Sequence, residues 1–177
     1  MKSKLLIGII LCSTFYSFAQ KDFVKSSGDV LLFVMPAAAV GSTLIIGDKK
    51  GTWQFLKGFA LNEALTYSLK AIVNKERPDM SNSYSFPSGH TSTTFQSASF
   101  IQRRYGWRYG VPAYVLASYT GFTRLNTNKH DIVDVLAGAL IGIGSTYLFT
   151  TPYQKEHMEL SFLKGKNSFS ICYIFKF

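Results

Sequence analysis

Three short clusters, spread over about 65 residues, hold the side chains in this chain that could do chemistry. The first runs from Lys70 to Arg77-Pro78. The second is Pro87-Ser88-Gly89-His90. The third is Thr123-Arg124, followed by His130 and Asp134. Together they supply three fixed cations, two histidines, a carboxylate and a Ser-Gly turn. That set suits gripping a phosphoryl group and attacking it with a ring nitrogen. His130 and Asp134 are four apart, so on a helix they share a face. The carboxylate can then accept from one ring nitrogen and leave the other to attack. Lys70 and Arg77 are seven apart, two turns along one helix face, and Pro78 should stop that helix with Arg77 at its end. Ser88 is placed to cap a following helix, whose first N–H groups favour an anion. The guanidinium forks of Arg77 and Arg124 suit phosphate oxygens.

Five apolar stretches must position these clusters: residues 30–47, 55–73, 91–101, 111–122 and 132–149. The first and last are long and apolar enough to approach a bilayer crossing. In the last, Gly138, Gly142 and Gly144 would allow close helix packing. Residues 74–86 form the longest polar connection and join the first two clusters. The reading is an all-α bundle of about five to six helices, membrane-embedded, with the site at one end. Residues 158–163 and 168–177 read as strand, turn, strand, a C-terminal β-hairpin in which Phe169, Ile171, Tyr173, Phe175 and Phe177 alternate.

The chain has 177 residues, enough for one domain, with 47% hydrophobic and 15% aromatic residues and a formal net charge of +9. The basic residues are scattered among apolar helices and no nucleic-acid-binding module is visible, so the balance points to membrane rather than nucleic acid. Lys2 and Lys4, an apolar run and Ser17-Phe18-Ala19 have the form of an export signal cleaved after Ala19. An uncleaved anchor is the alternative. The domain reading is a signal over residues 1–19, a helical domain over 20–157 and a tail over 158–177. Cleavage would leave Cys172 as the one cysteine, which excludes an internal disulfide.

The pattern K-x6-R-P, P-S-G-H, then R-x5-H-x3-D resembles the type 2 phosphatidic acid phosphatase superfamily. That superfamily includes lipid phosphate phosphatases, bacterial non-specific acid phosphatases and vanadium haloperoxidases. Every gap matches over roughly residues 55–150. Thr123 stands where the family usually has serine and keeps the hydroxyl. The resemblance implies that His130 is the nucleophile, forming a phosphohistidine, and that Asp134 orients it. It implies that His90 is the general acid and then the base. It also implies that Lys70, Arg77, Ser88, Gly89 and Arg124 bind phosphate oxygens, with no metal and no cofactor. Singly, each cation would read as a solvated charge and His130–Asp134 as a surface pair. The joint spacing reverses those odds. Lys75, Glu76 and Lys129 fill variable positions and read as solvated, Asp131 as a helix N-terminal charge, and His157 as an exposed tail residue.

The function expected is metal-independent hydrolysis of a phosphorylated membrane lipid. The alternatives are a soluble periplasmic acid phosphatase, a haloperoxidase and a non-catalytic lipid-phosphate binder. If the five stretches cross in turn with the mature N-terminus outside, the clusters fall outside. Asp48-Lys49-Lys50 and Arg103-Arg104 to Arg108 then fall inside, as the positive-inside rule requires. This places the protein in the cytoplasmic membrane with its site facing the periplasm. Lys57 and Glu63 are costly in such a helix unless they face protein or lie near an end. Oligomeric state is not readable.

Overall fold

The computed structural model describes residues 2–153, 158–164 and 169–175, with side chains over 21–153. The chain forms five helices and a hairpin. These are α1 (Lys2–Ile46), α2 (Lys49–Val73), α3 (Gly89–Tyr105), α4 (Trp107–Asn126), α5 (Ile132–Phe149), β1 (Met158–Lys164) and β2 (Phe169–Phe175). Each of the five apolar stretches falls on one of these helices, and α1 begins well before its stretch. The expected hairpin is antiparallel, with Met158 opposite Phe175 and Lys164 opposite Phe169. His157 and Phe177 lie outside the described residues. α1 runs unbroken through the position after Ala19 and through Pro36.

The turns are tight because the sequence puts suitable residues in them. Gly47 at φ 76° ends α1. Asp48 then caps α2, accepting from Gly51 N at 2.8 Å. Gly106 at φ 96° is the single residue between α3 and α4. α2 stops at Val73, where Asn74 takes the left-handed conformation (φ 46°) and its N–H returns to Lys70 O. The helix therefore ends before Arg77, not at it. Asn74, rather than Pro78, is the stop, and Arg77 sits in the following loop.

α3 is the central helix and packs against the other four. Its buried face is mostly small and polar: Thr91, Ser92, Thr94, Gln96, Ser97, Ala98 and Ser99. Ser97 Oγ donates along the helix to Thr93 O at 2.9 Å, and Thr146 Oγ1 of α5 donates across to Gln96 O at 3.0 Å. α5 comes close enough for backbone contact. A Cβ on Gly138 would lie 2.5 Å from Ser88 O, and one on Gly142 would lie 2.3 Å from Ser92 O. Gly144, expected in the same seam, faces open space.

Outside, the polarity inverts. Phe33 is 73% exposed, Ile45 89% and Leu140 71%, while polar residues outnumber apolar ones among the buried side chains. A polar interior with an apolar exterior is stable where the surrounding medium is lipid. Lys21–Ile46 and Ile132–Phe149 are long and apolar enough to cross a bilayer. The protein is membrane-associated. The polar side of α3 is turned inward, away from lipid. Glu63 likewise faces protein, accepting from Thr93 Oγ1 at 2.7 Å and Asn62 Nδ2 at 3.1 Å.

At the end opposite the clusters, Arg104 is buried and clamps Asp48 with two bonds of 2.7 Å, Nε to Oδ2 and Nη2 to Oδ1. Tyr105 OH adds a third bond to Asp48 at 3.1 Å. Arg103 lies over the Tyr147 ring at 4.8 Å. These two arginines tie helix ends together and are not the loop charges that the sequence suggested. Lys49, Lys50 and Arg108 remain exposed at that end.

The α3–α5 contact makes opposite predictions for neighbouring glycines. Gly142→Ala should cost about 1–3 kcal/mol by overpacking, read as a lower unfolding midpoint in detergent. Gly144→Ala should leave it unchanged or raise it slightly.

Candidate active site

α2, the start of α3 and the residue before α5 meet, with Leu32 of α1, around a pocket of about 170 Å³, lined by Leu32, Glu63, Thr66, Tyr67, Lys70, Arg77, Gly89, His90, Thr93 and His130. A wider depression of about 410 Å³ opens beside it and shares Tyr67, Lys70 and Arg77. Five of the eight sequence-selected residues thus face one cavity. Ser88, Arg124 and Asp134 are buried but do not line it.

Lys70, on the last turn of α2, is aimed by two backbone carbonyls, Tyr84 O at 2.9 Å and Pro87 O at 2.6 Å. Arg77 reaches the same space because its loop folds back. Arg77 N donates to Asn82 O at 2.9 Å, and Met80 N to Arg77 O at 2.8 Å. Arg77 Nε is buried without a hydrogen-bond partner among the described residues. A buried guanidinium donor left unpaired is costly. In a cavity shared with Lys70 it is placed to receive an anion.

His130 does not share a helix with Asp134. It precedes α5, whose cap is Asp131. A reciprocal box joins Asp131 and Asp134, so the charge role read for Asp131 is a capping role. His130 Nδ1 is nevertheless 3.6 Å from Asp134 Oδ2 and 3.5 Å from Ser85 Oγ. At that separation the carboxylate acts on the ring by charge rather than by a short hydrogen bond. Burial first, then the charges of Lys70 and Arg77, hold the imidazole down to about 4, against the upward pull of Asp134. His130 is therefore neutral, with a lone pair available, at ordinary pH.

Asp134 is fully buried and heavily used. It accepts from Lys75 Nζ at 2.8 Å, Ser85 Oγ at 2.5 Å and Asp131 N at 3.1 Å, and its carbonyl accepts from Ser88 N at 3.0 Å. Three of these partners, Lys75, Ser85 and Asp131, were not selected as site residues from sequence. Lys75 is not solvated: it also pairs with Asp131, and its carbonyl accepts from Ser85 N at 2.9 Å. The signal for it was its place inside the first cluster, seven before Asn82 and five after Lys70. Lys129, also read as solvated, pairs with Asp79.

Ser88 stands at the N-cap of α3, yet its hydroxyl bonds Thr91 Oγ1 at 3.0 Å instead of a backbone N–H. With its own N–H taken by Asp134, it is the Gly89 side of the turn that faces the pocket. Arg124 donates to Asp29 and to Lys25 O, both on α1, and so turns away from the pocket. His90 Nε2 meets the same Asp29 oxygen at 2.9 Å. Asp29 was missed because its only sequence signal is a lone acid just before an apolar run.

Residues 51–158 match the family model described as the PAP2 superfamily. The chain belongs to the PAP2 superfamily. It is a phosphatase of that family, as the clusters implied. A Helicobacter pylori protein named lipid A 4′-phosphatase is 28% identical over 169 residues, covering 86% of this chain and 85% of its own. A Porphyromonas gingivalis protein named lipid A 1-phosphatase is 40% identical over 89 residues, which is 49% of this chain and 20% of that protein. The crystal structure of Aquifex aeolicus LpxE shares the fold, with a TM-score of 0.64 at 22% identity over 73% of this chain and 84% of that one. In this PAP2 chain the departure at Thr123 is benign locally. Its hydroxyl donates to Thr120 O at 2.7 Å and accepts from Arg124 Nε at 3.0 Å.

The pairing of Lys75 separates it from its neighbour. Lys75→Met should lower stability by about 2 kcal/mol, the scale of a charged hydrogen bond. Glu76→Gln, at an exposed position, should stay within about 0.5 kcal/mol. Denaturant unfolding in detergent measures both.

Proposed function

We propose that this PAP2 protein hydrolyses a phosphorylated membrane lipid, without a metal, through a phosphohistidine at His130. The observation that carries the reading is Arg77 Nε, buried without a hydrogen-bond partner among the described residues, on a side chain facing the same small cavity as Lys70 and a neutral His130. Binding alone would need only the cations. A buried histidine kept deprotonated beside them adds a nucleophile.

In this reading Lys70, Arg77 and the first N–H groups of α3 hold the phosphate oxygens and the charge that grows on them. The lone pair of His130 Nε2 attacks phosphorus in line as the bond to the lipid oxygen breaks. His90 gives that oxygen a proton, and the lipid alcohol leaves. A water then gives a proton back to His90 and attacks the phosphohistidine. Inorganic phosphate departs and His130 is regenerated. Asp134 stabilises the imidazolium formed in between. Ser88 supports the turn, and Arg124 supports His90.

The names of the two bacterial relatives favour a phosphorylated lipid A as substrate. Phosphatidic acid, phosphatidylglycerol phosphate and polyprenyl pyrophosphate are the competitors in a substrate panel. The exposed Lys49, Lys50 and Arg108 at the far end support a site on the periplasmic side of the cytoplasmic membrane.

His130→Ala should abolish turnover while vanadate, a mimic of pentacoordinate phosphorus, still binds by calorimetry. Near-normal turnover in the folded variant would sink the assignment. In the wild type, His130 must be neutral to attack, and its basicity is lowered to about 4. The acid limb of kcat/KM should therefore lie near pH 4, well below an ordinary imidazole at about 6.5.

Orientation is tested with single cysteines in a Cys12→Ser, Cys172→Ser background. Ser81→Cys should react with an impermeant thiol reagent in intact spheroplasts, and Lys49→Cys should not. The opposite pattern inverts the topology, and release of the whole protein by osmotic shock favours the soluble alternative.

A further inference from the structure

Asp29 belongs to none of the three clusters and lies on α1, outside the matched residues 51–158. One of its oxygens, Oδ1, accepts from His90 Nε2 and from Arg124 Nη1, each at 2.9 Å. The remaining nitrogens of Arg124 are also engaged, Nη2 by Lys25 O at 2.9 Å and Nε by Thr123 Oγ1 at 3.0 Å. Arg124 is therefore held wholly between α1 and its own helix. The contact is built for closeness. A Cβ on Gly28 would fall 2.2 Å from Thr123 Oγ1 and 2.4 Å from Arg124 Nη2, so only glycine lets this turn of α1 reach α4. An acid next to a long apolar helical run is costly unless protein receives it. Here two donors receive it.

A carboxylate accepts, so Nε2 of His90 carries a proton toward Asp29. His90 itself lines the pocket, while Asp29 does not. Nδ1 is the ring nitrogen left to exchange a proton there.

We propose that Asp29 is a positioning residue for the reaction: by accepting from Nε2–H it fixes the His90 ring and favours the imidazolium, whose Nδ1–H is the proton given to the departing oxygen, and Arg124 acts through it. The proposal rests on the reading of His90 as general acid. It assigns part of the site to α1, beyond the family's matched segment.

The test uses full-length protein in detergent and two phosphate esters with the same alkyl tail. One is decyl phosphate, whose alkoxide must be protonated as it leaves. The other is a decyl-substituted nitrophenyl phosphate, whose phenolate leaves unprotonated. The parameter is kcat/KM, which reports the first transfer only, before His90 acts as a base. Asp29→Asn should lower kcat/KM for decyl phosphate about 100-fold and for the aryl ester less than about threefold. Asp29→Glu should regain much of the loss on decyl phosphate. Asp29→Ser, whose hydroxyl is too short to reach both partners, is the second variant should asparagine prevent folding. It should show the same selective loss, reversed by added formate. Equal losses on the two esters, or no loss on either, overturn the proposal. If the wild type turns over neither ester, the phosphatase reading fails instead, and the two failures are thereby distinguished.

Discussion

One buried carboxylate joins the three clusters. Asp134 takes hydrogen bonds from Lys75 of the first and from Ser85 of the connecting loop, and sits against His130 of the third. Its carbonyl takes the N–H of Ser88 in the second. A fully buried charge must be compensated by bonds to its surroundings. Its need for partners therefore draws separate stretches of chain to one point. Lys75 supplies the compensating charge, Ser85 and Asp131 N supply donors, and His130 is left the longer approach. The histidine can then feel a negative charge without being tied to it by a short bond. Its distance from Asp134 follows from that crowding, while its low basicity comes first from burial and then from the charges of Lys70 and Arg77.

The second constraint is the medium. Hydroxyl-rich α3 can sit at the centre only because its neighbours come close enough to shut out solvent. Gly138 and Gly142 allow α5 to do so. At the far end the Asp48–Arg104 clamp fastens the α1–α2 turn to the end of α3. One end of the bundle is thus fixed by paired charges, while the other keeps Arg77 Nε unpaired. That asymmetry marks which end is adapted to a ligand.

Much of this was legible in the sequence. Apolar stretches gave five helices, the long runs at 30–47, 55–73 and 132–149 clearly and the shorter ones at 91–101 and 111–122 more weakly. The cluster spacing gave the pocket residues Lys70, Arg77, Gly89, His90 and His130. What failed was inference from helical periodicity across helix ends. Arg77 and His130 are loop residues, because Asn74 and Asp131 set boundaries that the simple spacing overran. Spacing also gives no direction for a side chain, so Ser88 and Arg124 read as phosphate ligands although both face protein. Lys75 and Asp29 escaped because a single charge has no pattern. Their significance comes from partners 56 to 95 positions away in sequence. The arginines at 103 and 104 misled for the same reason: in sequence they are a basic loop, and in space they are bonds between helices.

α1 has one property that bears on how a lipid would be met. From Val30 to Ile46 it is 17 residues, about 25 Å of helix, close to the thickness of a hydrocarbon layer at about 30 Å. The turn carrying Gly28 and Asp29 then rides at the upper rim of that layer, the height at which a phospholipid carries its phosphorus. A headgroup could slide sideways into the pocket while its acyl chains stay in the bilayer, with no work spent lifting them out. The same geometry ties chemistry to mismatch. A bilayer too thin for the run would tilt α1, and membrane thickness would then bear on the site through the helix that carries Asp29.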